Sequence, residues 1–163
     1  MSWLDKILPA RIRAAVKKKS SVPEGLWHKC LNCDAVIYRA EYEKNLNVCP
    51  KCNHHGRISA RKRIDLFLDK SERVEVLTSI LPKDILDFKD KEKYKDKLAS
   101  TQKKTGEKDA LIVFKGNINK IPLVVCAFEY SFFGGSMGSV VGEKFSSAIK
   151  ICLDEKKPLV CFS

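Results

Sequence analysis

The 163-residue sequence has no long apolar run and no recognisable export signal. No stretch approaches the ~20 consecutive apolar residues that a membrane-spanning helix needs, which argues against a membrane protein. Near the N-terminus, Asp5 and Lys6 interrupt the apolar segment that a secretory signal requires. Hydrophobic residues make up 44% and charged residues 31%, which is typical of a globular chain. We therefore expect a cytoplasmic protein.

Acidic side chains are scarce in the first part of the chain. Residues 1–63 contain 14 basic and 5 acidic side chains, whereas residues 64–163 contain 17 and 15. Most of the formal net charge of +11 therefore comes from a basic segment that precedes a nearly neutral domain. Such a segment can attract nucleic acid, an acidic partner or a phosphate-rich ligand, and it can equally be an ordinary solvated surface.

Four of the seven cysteines form two C-x-x-C pairs, Cys30 with Cys33 and Cys49 with Cys52, separated by fifteen residues. Each such pair turns two sulfurs onto one metal ion, and this spacing is typical of a zinc site. Four thiolates complete a closed tetrahedral shell with no position for a catalytic water, so we predict one structural Zn²⁺. A redox dithiol requires only one pair in a thioredoxin-like context, which this sequence lacks.

The predicted zinc site lies in a short ribbon with three histidines around it. Strands are expected over 36–38 and 46–48, between the two cysteine pairs. A histidine can replace a cysteine ligand, but four cysteines already suffice, so the histidines are interpreted as exposed or as neighbours of the ligands. These are His28, His54 and His55. The other cysteines lie in apolar runs and are interpreted as small buried hydrophobic residues. These are Cys126, Cys152 and Cys161.

The chain is predicted to have three parts: a basic N-terminal helix and linker over 1–25, the zinc ribbon over 26–57, and a mixed helix and strand domain over 58–163. In residues 3–19 the apolar side chains recur at helical spacing, although Pro9 interrupts them and a loosely ordered tail is the alternative. In that tail or helix the polar side chains are mainly basic.

The third part combines helices and strands. Ser59 is expected to cap the first helix, whose apolar face includes Ile64. The predicted elements are a helix over 59–69, a strand over 74–76, a lysine-rich helix over 89–104 that ends at Gly106, strands over 109–118 and 121–130, a helix over 141–154 and a strand over 158–162. The inward side chains of the last helix are predicted to be Phe145, Ala148, Ile149 and Cys152.

The last two strands flank a helix, which predicts a parallel pair. The strand over 121–130 is almost continuously apolar, as for a strand buried on both faces. Because the last strand is also apolar and the sequence stops after it, we expect further chain or another chain to cover it.

A glycine-rich loop over 132–138 separates a predicted strand from the next helix. Gly134 to Gly138 formally matches G-x-S-x-G, but a hydrolase of that type needs a histidine after the serine, and all three histidines precede it. The loop is neither a Walker A nor a dinucleotide-binding motif. Two interpretations stay open: backbone N–H groups that face an anionic or carbonyl group, or glycines that only permit a tight turn and close packing.

Several longer motifs, in order along the chain, resemble those of the β subunit of the bacterial and plastid acetyl-CoA carboxylase carboxyltransferase. The resemblance covers essentially the whole sequence, including the opening M-S-W-L-D-K-I, S-V-P-E-G-L-W and the four-cysteine ribbon. The remaining motifs are P-K-D-I-L-D-F (82–88), K-Y-K-D-K-L-A-S (93–100), T-G-E-K-D-A-L (105–111), F-F-G-G-S-M-G-S-V-V-G-E-K (132–144) and P-L-V-C-F-S (158–163).

The resemblance implies an α/β (α+β) fold, in which the zinc ribbon is followed by an incomplete crotonase-like domain of ββα units. It implies transfer of a carboxyl group from carboxybiotin, held on a separate carrier protein, to acetyl-CoA, which gives malonyl-CoA for fatty acid biosynthesis. After CO₂ leaves, biotin N1 would take the methyl proton of acetyl-CoA, and paired backbone N–H groups would stabilise the enolate and ureido oxyanions. The implied partners are a carboxyltransferase α subunit in an α₂β₂ assembly, the biotin carboxyl carrier protein, and biotin carboxylase, which uses ATP.

The resemblance carries Zn²⁺ over to Cys30, Cys33, Cys49 and Cys52, and it suggests Gly134 and Gly135 as substrate-binding residues. Members of this family continue beyond the equivalent of Ser163, and the catalytic glycines are expected in that part, so no catalytic residue is assigned here. Two other interpretations stay open: a zinc-ribbon module that binds nucleic acid through its basic residues, and an inactive fragment of the enzyme.

Overall fold

The computed structural model describes residues 25–163, which form two compact units that divide between Arg57 and Ile58. The basic helix predicted over 3–19 lies outside the described residues. The division of the chain into 1–25, 26–57 and 58–163 therefore stays a prediction.

The first unit is a small ribbon with two strands and one short helix. Strand β1 (Trp27–Lys29) pairs antiparallel with β2 (Val36–Tyr38), and helix α1 (Arg39–Lys44) follows directly. The strand predicted over 36–38 is confirmed, but its partner precedes the first cysteine pair instead of lying between the pairs. The side chains that fill the small core are Cys30, Ile37, Tyr42 and Cys49.

The strand predicted over 46–48 is wrong. Leu46 and Asn47 have left-handed backbones with φ of 54° and 59°, which no strand tolerates. Only Val48 forms a single antiparallel bridge, with His55. Helix α1 occupies the chain up to Lys44, so residues 45–47 must reverse the chain direction before the second cysteine pair.

The second unit is built around a four-stranded sheet in the order β3-β4-β5-β6. Its strands are β3 (Val74–Val76), β4 (Leu111–Ile118), β5 (Ile121–Phe128) and β6 (Leu159–Phe162). Its helices are α2 (Ala60–Phe67), α3 (Tyr94–Thr105) and α4 (Ser139–Glu155). The first two strand pairs are antiparallel, and β5 and β6 are parallel across α4, as predicted. The order β4-β5-α4 is the predicted ββα arrangement.

The two central strands are buried on both faces because their side chains alternate between two apolar layers. Leu111 and Val113 point to the layer that contains Ala148 and Cys152 of α4. Ile112 and its neighbours in β5 face the opposite layer, to which α2 contributes Ala60, Ile64 and Leu68. This arrangement confirms the interpretation of the apolar run over 121–128 as a strand covered on both sides.

Helix ends differ from the sequence predictions by a few residues, with one larger difference. Ser59 caps α2 as predicted and accepts a hydrogen bond from the N–H of Lys62 at 3.2 Å, but α2 ends at Phe67. Helix α3 begins only at Tyr94, because residues 89–93 form a turn closed by an N–H···O bond of 2.9 Å from Tyr94 to Phe88. Gly106 ends α3 with a left-handed φ of 75°.

Two side chains predicted to be buried are exposed. Ile149 of α4 is 40% exposed, because it lies next to Ala148 and therefore about 100° around the helix from the buried stripe. Cys161 is also exposed, whereas Cys126 and Cys152 are buried as predicted. Among residues 25–163, no helix is long and apolar enough to cross a membrane.

Candidate metal centre and glycine-rich loop

The sulfurs of Cys30, Cys33, Cys49 and Cys52 all lie within 4.8 Å of one another. The Sγ atoms of Cys30 and Cys52 are 3.7 Å apart, as are those of Cys33 and Cys49. A tetrahedron with Zn–S bonds of about 2.3 Å has edges of roughly 3.8 Å, so the observed spacing fits one Zn²⁺. The group is therefore suited to hold a single zinc ion in a closed shell.

The two cysteine pairs have the same backbone geometry. The N–H of Cys30 donates to Ala35 O at 2.9 Å, and the N–H of Cys49 donates to His54 O at 2.8 Å. The residue after each pair has a left-handed backbone, with φ of 56° at Asp34 and 57° at Asn53. Asn and Asp adopt this region more readily than other residues with a Cβ, which explains their places in the sequence.

The thiols of the cluster shift one another's pKa in opposite directions. The Asn32 side chain lowers the pKa of Cys52 to about 6 through a hydrogen bond. Although the Ala35 N–H acts in the opposite direction, interaction with Cys52 and the other thiols raises the pKa of Cys33 to about 12. A dication removes this conflict because it stabilises every thiolate.

No histidine belongs to the four-ligand group in the described part of the chain. The ring of His28 stacks on Tyr42, with centroids 4.0 Å apart and planes inclined by 15°. His54 is half-buried and His55 is exposed. Their interpretation as neighbours of the ligands agrees with this arrangement.

Gly56 is a structural requirement of the ribbon that the sequence analysis did not find. A Cβ at this position would lie 1.8 Å from Tyr42 Oη and 3.0 Å from the backbone oxygen of Asn47. The glycine therefore provides the space for the Tyr42 ring beside the metal ligands. Its only sequence signal is its place a few residues after the second cysteine pair.

In the glycine-rich loop, three consecutive residues have left-handed backbones: φ is 49° at Phe133, 71° at Gly134 and 76° at Gly135. The N–H of Gly135 donates to Phe132 O at 2.9 Å and closes a tight turn. No atom lies within 4 Å of a Cβ built at Gly134, so the glycines serve the backbone conformation and not close packing. The tight-turn interpretation thus has direct support.

A cavity of about 490 Å³ lies beside this loop and is lined by aromatic and charged side chains. The rings of Tyr94 and Phe133 are 6.2 Å apart, and Lys97 Nζ lies 5.7 Å from the centroid of Phe133. Because the lining also contains two acidic and two basic side chains, such a cavity can take a ligand that combines an apolar part with charged groups. Gly134 and Gly135 do not line it themselves. The lining residues are Phe88, Asp90, Lys91, Glu92, Tyr94, Lys97, Phe133 and Ser136.

The buried carboxylate of Glu129, which the sequence analysis missed, lies at the start of the loop. Its Oε2 accepts the N–H of Ala60 at 2.9 Å, and its Oε1 accepts the N–H of Ser131 at 3.1 Å and the Ser131 hydroxyl. Burial raises the pKa of Glu129, but the hydrogen bonds from Ser131 and Ala60 outweigh burial and lower it overall. Glu129 is therefore a charged acceptor at neutral pH.

The basic residues at the start of α2 are partly occupied within the fold. Arg61 Nε and Nη2 bind the two oxygens of Glu107 at 2.6 Å and 2.7 Å, and Nη1 binds Glu75 at 2.9 Å. Hydrogen bonds to Glu107 and then to Glu75 raise the pKa of Arg61 further. Its guanidinium therefore neutralises a buried carboxylate instead of facing an acidic partner.

Together, these features define a four-cysteine ribbon of the zinc-binding type, followed in the chain by a mixed α/β unit with a ββα arrangement. Residues 27–52 match the family model described as the acetyl-CoA carboxylase zinc finger domain. The match covers the two cysteine pairs and the strands that hold them.

The chain is similar in fold to a single-chain, multi-domain long-chain acyl-CoA carboxylase, with a TM-score of 0.51 and 18% identity over 99% of this chain and 14% of that chain. The β subunit of P. aeruginosa geranyl-CoA carboxylase gives 0.47 and 21% identity over 77% of this chain and 21% of that chain. A Pseudomonas malonate decarboxylase hetero-tetramer in complex with malonate gives 0.42 and 22% identity, with coverages of 64% and 35%. The chain thus spans at most about a third of the length of these structures.

Proposed function

We propose that this chain is the N-terminal part of a carboxyltransferase β subunit that acts in acetyl-CoA carboxylase. The reaction would transfer a carboxyl group from carboxybiotin to acetyl-CoA and form malonyl-CoA for fatty acid biosynthesis. The observation that carries the proposal is the match of residues 27–52 to the acetyl-CoA carboxylase zinc finger, on a ribbon whose four sulfurs fit one Zn²⁺. The likeness of the whole chain to an acyl-CoA carboxylase fold supports it.

In this proposal the zinc ion is structural and takes no part in the reaction. Cys30, Cys33, Cys49 and Cys52 would hold it, and four thiolates leave no coordination position for substrate or water. The ion would fix the two cysteine turns that the small ribbon core cannot hold alone.

The acyl-CoA would bind in the cavity beside the glycine-rich loop. Phe88, Tyr94 and Phe133 would contact the apolar part of the ligand, and Lys97 would lie near its negative charge. Gly134 and Gly135 would act indirectly, because their left-handed backbones set the course of the loop between Phe133 and Ser136. We assign no catalytic residue to this chain and propose that the reacting groups come from chain beyond Ser163.

The partners in this proposal are those of a multi-subunit carboxylase. They are a carboxyltransferase α subunit in an α₂β₂ assembly, a biotin carboxyl carrier protein, and an ATP-dependent biotin carboxylase. Biotin on the carrier protein would supply the carboxyl group when bound, and the residues of this chain would bind and orient the acyl-CoA.

Equilibrium binding of acetyl-CoA to the 163-residue chain tests the proposal. We expect Lys97→Ala and Phe133→Ala to weaken binding about tenfold each, since each removes a charge or an aromatic contact from the cavity. Lys150→Ala is the matched control, because Lys150 lies on the exposed side of α4. Absence of binding, or equal affinity in all variants, contradicts the proposed acyl-CoA site and favours the interpretation as an inactive fragment.

A second candidate function is nucleic-acid binding by the ribbon. The observation that favours it is the exposed pair Trp27 and Tyr38 on the open face of β1 and β2, with ring centroids 5.8 Å apart. Arg39 also lines a cavity of about 700 Å³ in the ribbon. Exposed aromatic side chains can stack on unpaired bases.

Binding of a single-stranded RNA 20-mer at several salt concentrations tests this second function. The affinity should fall steeply with salt. Trp27→Ala should weaken binding about tenfold, because loss of stacking on one base lowers the affinity by about this factor. Tyr130→Ala, an exposed aromatic in the other unit, is the control. No binding at low salt contradicts this function.

A further inference from the structure

Glu129 connects the end of the central sheet to both the glycine-rich loop and helix α2. It directly follows β5 and is only 6% exposed. Its carboxylate receives the N–H of Ala60, at the first turn of α2, and both the N–H and the hydroxyl of Ser131. A buried carboxylate without such donors would be strongly destabilising.

Helix α2 has an unusual need for this carboxylate. Its first turn has no acidic residue and contains Arg61 and Lys62, although the N-terminal end of a helix favours negative charge. The Ser59 hydroxyl accepts the N–H of Lys62 and its carbonyl oxygen accepts the N–H of Arg63, so the N–H of Ala60 needs another acceptor. Glu129 supplies this acceptor and the negative charge from a distant part of the sequence.

The backbone of Glu129 fixes the loop on its other side. Its N–H donates to Ala110 O at 2.8 Å, and its carbonyl oxygen accepts the N–H of Phe132 at 3.0 Å. The carbonyl oxygen of Phe132 then accepts the N–H of Gly135 at 2.9 Å. A continuous series of hydrogen bonds therefore runs from Glu129 to the left-handed turn of the loop.

We infer that Glu129 is the positioning residue of the glycine-rich loop. Its carboxylate holds Ser131 against the start of α2 and so fixes where the turn at Gly134 and Gly135 begins. Any effect of Glu129 on ligand binding in the adjacent cavity rests on the proposed function. Its effect on the conformation of the loop does not.

Amide hydrogen exchange of the 163-residue chain, measured residue by residue by NMR, tests this inference. In Glu129→Gln, one of the two acceptor oxygens becomes an NH₂ donor that faces other donors. We expect the amides of Ser131, Phe132 and Gly135 to exchange at least about tenfold faster. Loss of a hydrogen bond to a charged group shifts the local opening equilibrium by about this factor or more. The amide of Val124, in the middle of β5, should keep its exchange rate.

Glu107→Gln is the matched control, because Glu107 is equally buried in the same unit but binds Arg61 and not the loop. It should leave the exchange of Ser131, Phe132 and Gly135 unchanged relative to Val124. Unchanged exchange at these three amides in Glu129→Gln overturns the inference, and so does an equal acceleration at Val124, which would mean a purely global effect.

Acetyl-CoA binding by the same variants separates the two proposals. Faster loop exchange with at least tenfold weaker acetyl-CoA binding in Glu129→Gln supports both. Faster loop exchange in a chain whose wild-type form binds no acetyl-CoA supports the positioning role and overturns the proposed acyl-CoA site.

Discussion

Gly56 determines whether the Tyr42 ring can pack beside the metal ligands. In Gly56→Ala the new Cβ would lie 1.8 Å from Tyr42 Oη, so the ring must shift from its present position stacked on His28. We expect this overpacking to destabilise the ribbon by about 2 kcal/mol and to weaken zinc binding by at least about tenfold. Competition with a chromogenic chelator measures the zinc affinity.

Gly142→Ala provides the control for that substitution. Gly142 lies in α4, and a Cβ there meets no atom within 4 Å. Alanine should therefore stabilise α4 by roughly 0.5–1 kcal/mol and leave zinc affinity unchanged. Wild-type zinc affinity in Gly56→Ala would show that the Tyr42 ring has room that the structure does not indicate.

Arg61 neutralises Glu107, which is 8% exposed. Arg61→Met leaves this carboxylate buried without its bidentate partner, and we expect the free energy of unfolding to fall by about 2 kcal/mol. This is less than the full cost of breaking a buried pair, because the Arg61 side chain is 44% exposed. Urea unfolding followed by circular dichroism measures the loss. The double variant Arg61→Met, Glu107→Gln should recover part of it, and a double variant less stable than Arg61→Met contradicts this account.

The sequence indicated the four-cysteine group that is suited to one zinc ion, but not the contacts of Glu129 or the Arg61–Glu107 pair, and the reason is distance along the chain. The cysteine pairs lie within one turn each, so their spacing alone indicates a shared ion. Glu129 binds Ala60 across 69 positions, and Arg61 binds Glu107 across 46. No local pattern marks such partners, because the sheet brings them together only after folding.

At the scale of elements, the hairpin between β4 and β5 contains a strained residue. Asn119 and Lys120 have φ of 49° and 67°, as a two-residue turn of this kind requires, and lysine is disfavoured there. We expect Lys120→Gly to stabilise the second unit by roughly 0.5–1 kcal/mol, because relief of the strain exceeds the entropy lost by glycine. Thermal unfolding followed by circular dichroism measures the gain.

Lys120→Ala separates the backbone effect from the loss of the side chain. Alanine keeps the Cβ and therefore the strain, so stability should stay close to that of the wild type. The carboxylate of Asp69 accepts the N–H groups of both turn residues, at 3.2 Å and 3.0 Å, and holds the turn in all three proteins. A gain with alanine equal to that with glycine would contradict the backbone explanation.

Elements with strong periodicity could be predicted, and elements set by turns could not. The apolar runs of β4, β5 and β6 gave the correct strands, and the ββα arrangement followed from their order. The strand predicted over 46–48 and the helical turn predicted over 89–93 were wrong, because the backbone there forms turns that hydrogen-bond to neighbouring residues. Ile149 was wrongly predicted to be buried because it lies only one position from the buried side of α4.

At the scale of the whole molecule, the metal changes where the basic charge lies. Residues 25–57 contain five basic and three acidic side chains, and a centre of four thiolates and one Zn²⁺ adds two negative charges. The metal-loaded ribbon is then formally neutral, so the basic excess of the front segment comes from residues 1–24 and 58–63. This distribution argues against a ribbon that binds nucleic acid by charge alone.

Zinc removal should unfold one unit and spare the other. The ribbon core consists of Cys30, Ile37, Tyr42 and Cys49, so two of its four buried members are metal ligands. The sheet layers of the second unit contain no zinc ligand. Because a structural zinc in such a small module contributes on the order of 10 kcal/mol, we expect chelation to unfold the ribbon.

NMR spectra recorded with and without chelator measure this selective unfolding. The amide signal of Ile37 in β2 should collapse to an unfolded position, while that of Val124 in β5 stays in place. Cys49→Ser should reproduce the effect without chelator and abolish the zinc stoichiometry of one. Cys161→Ser is the control, since Cys161 is exposed and is not a ligand, and it should bind one zinc normally. Simultaneous loss of both signals would mean that the second unit also depends on the metal, whereas retention of the Ile37 signal would mean that the four cysteines do not stabilise the ribbon through zinc.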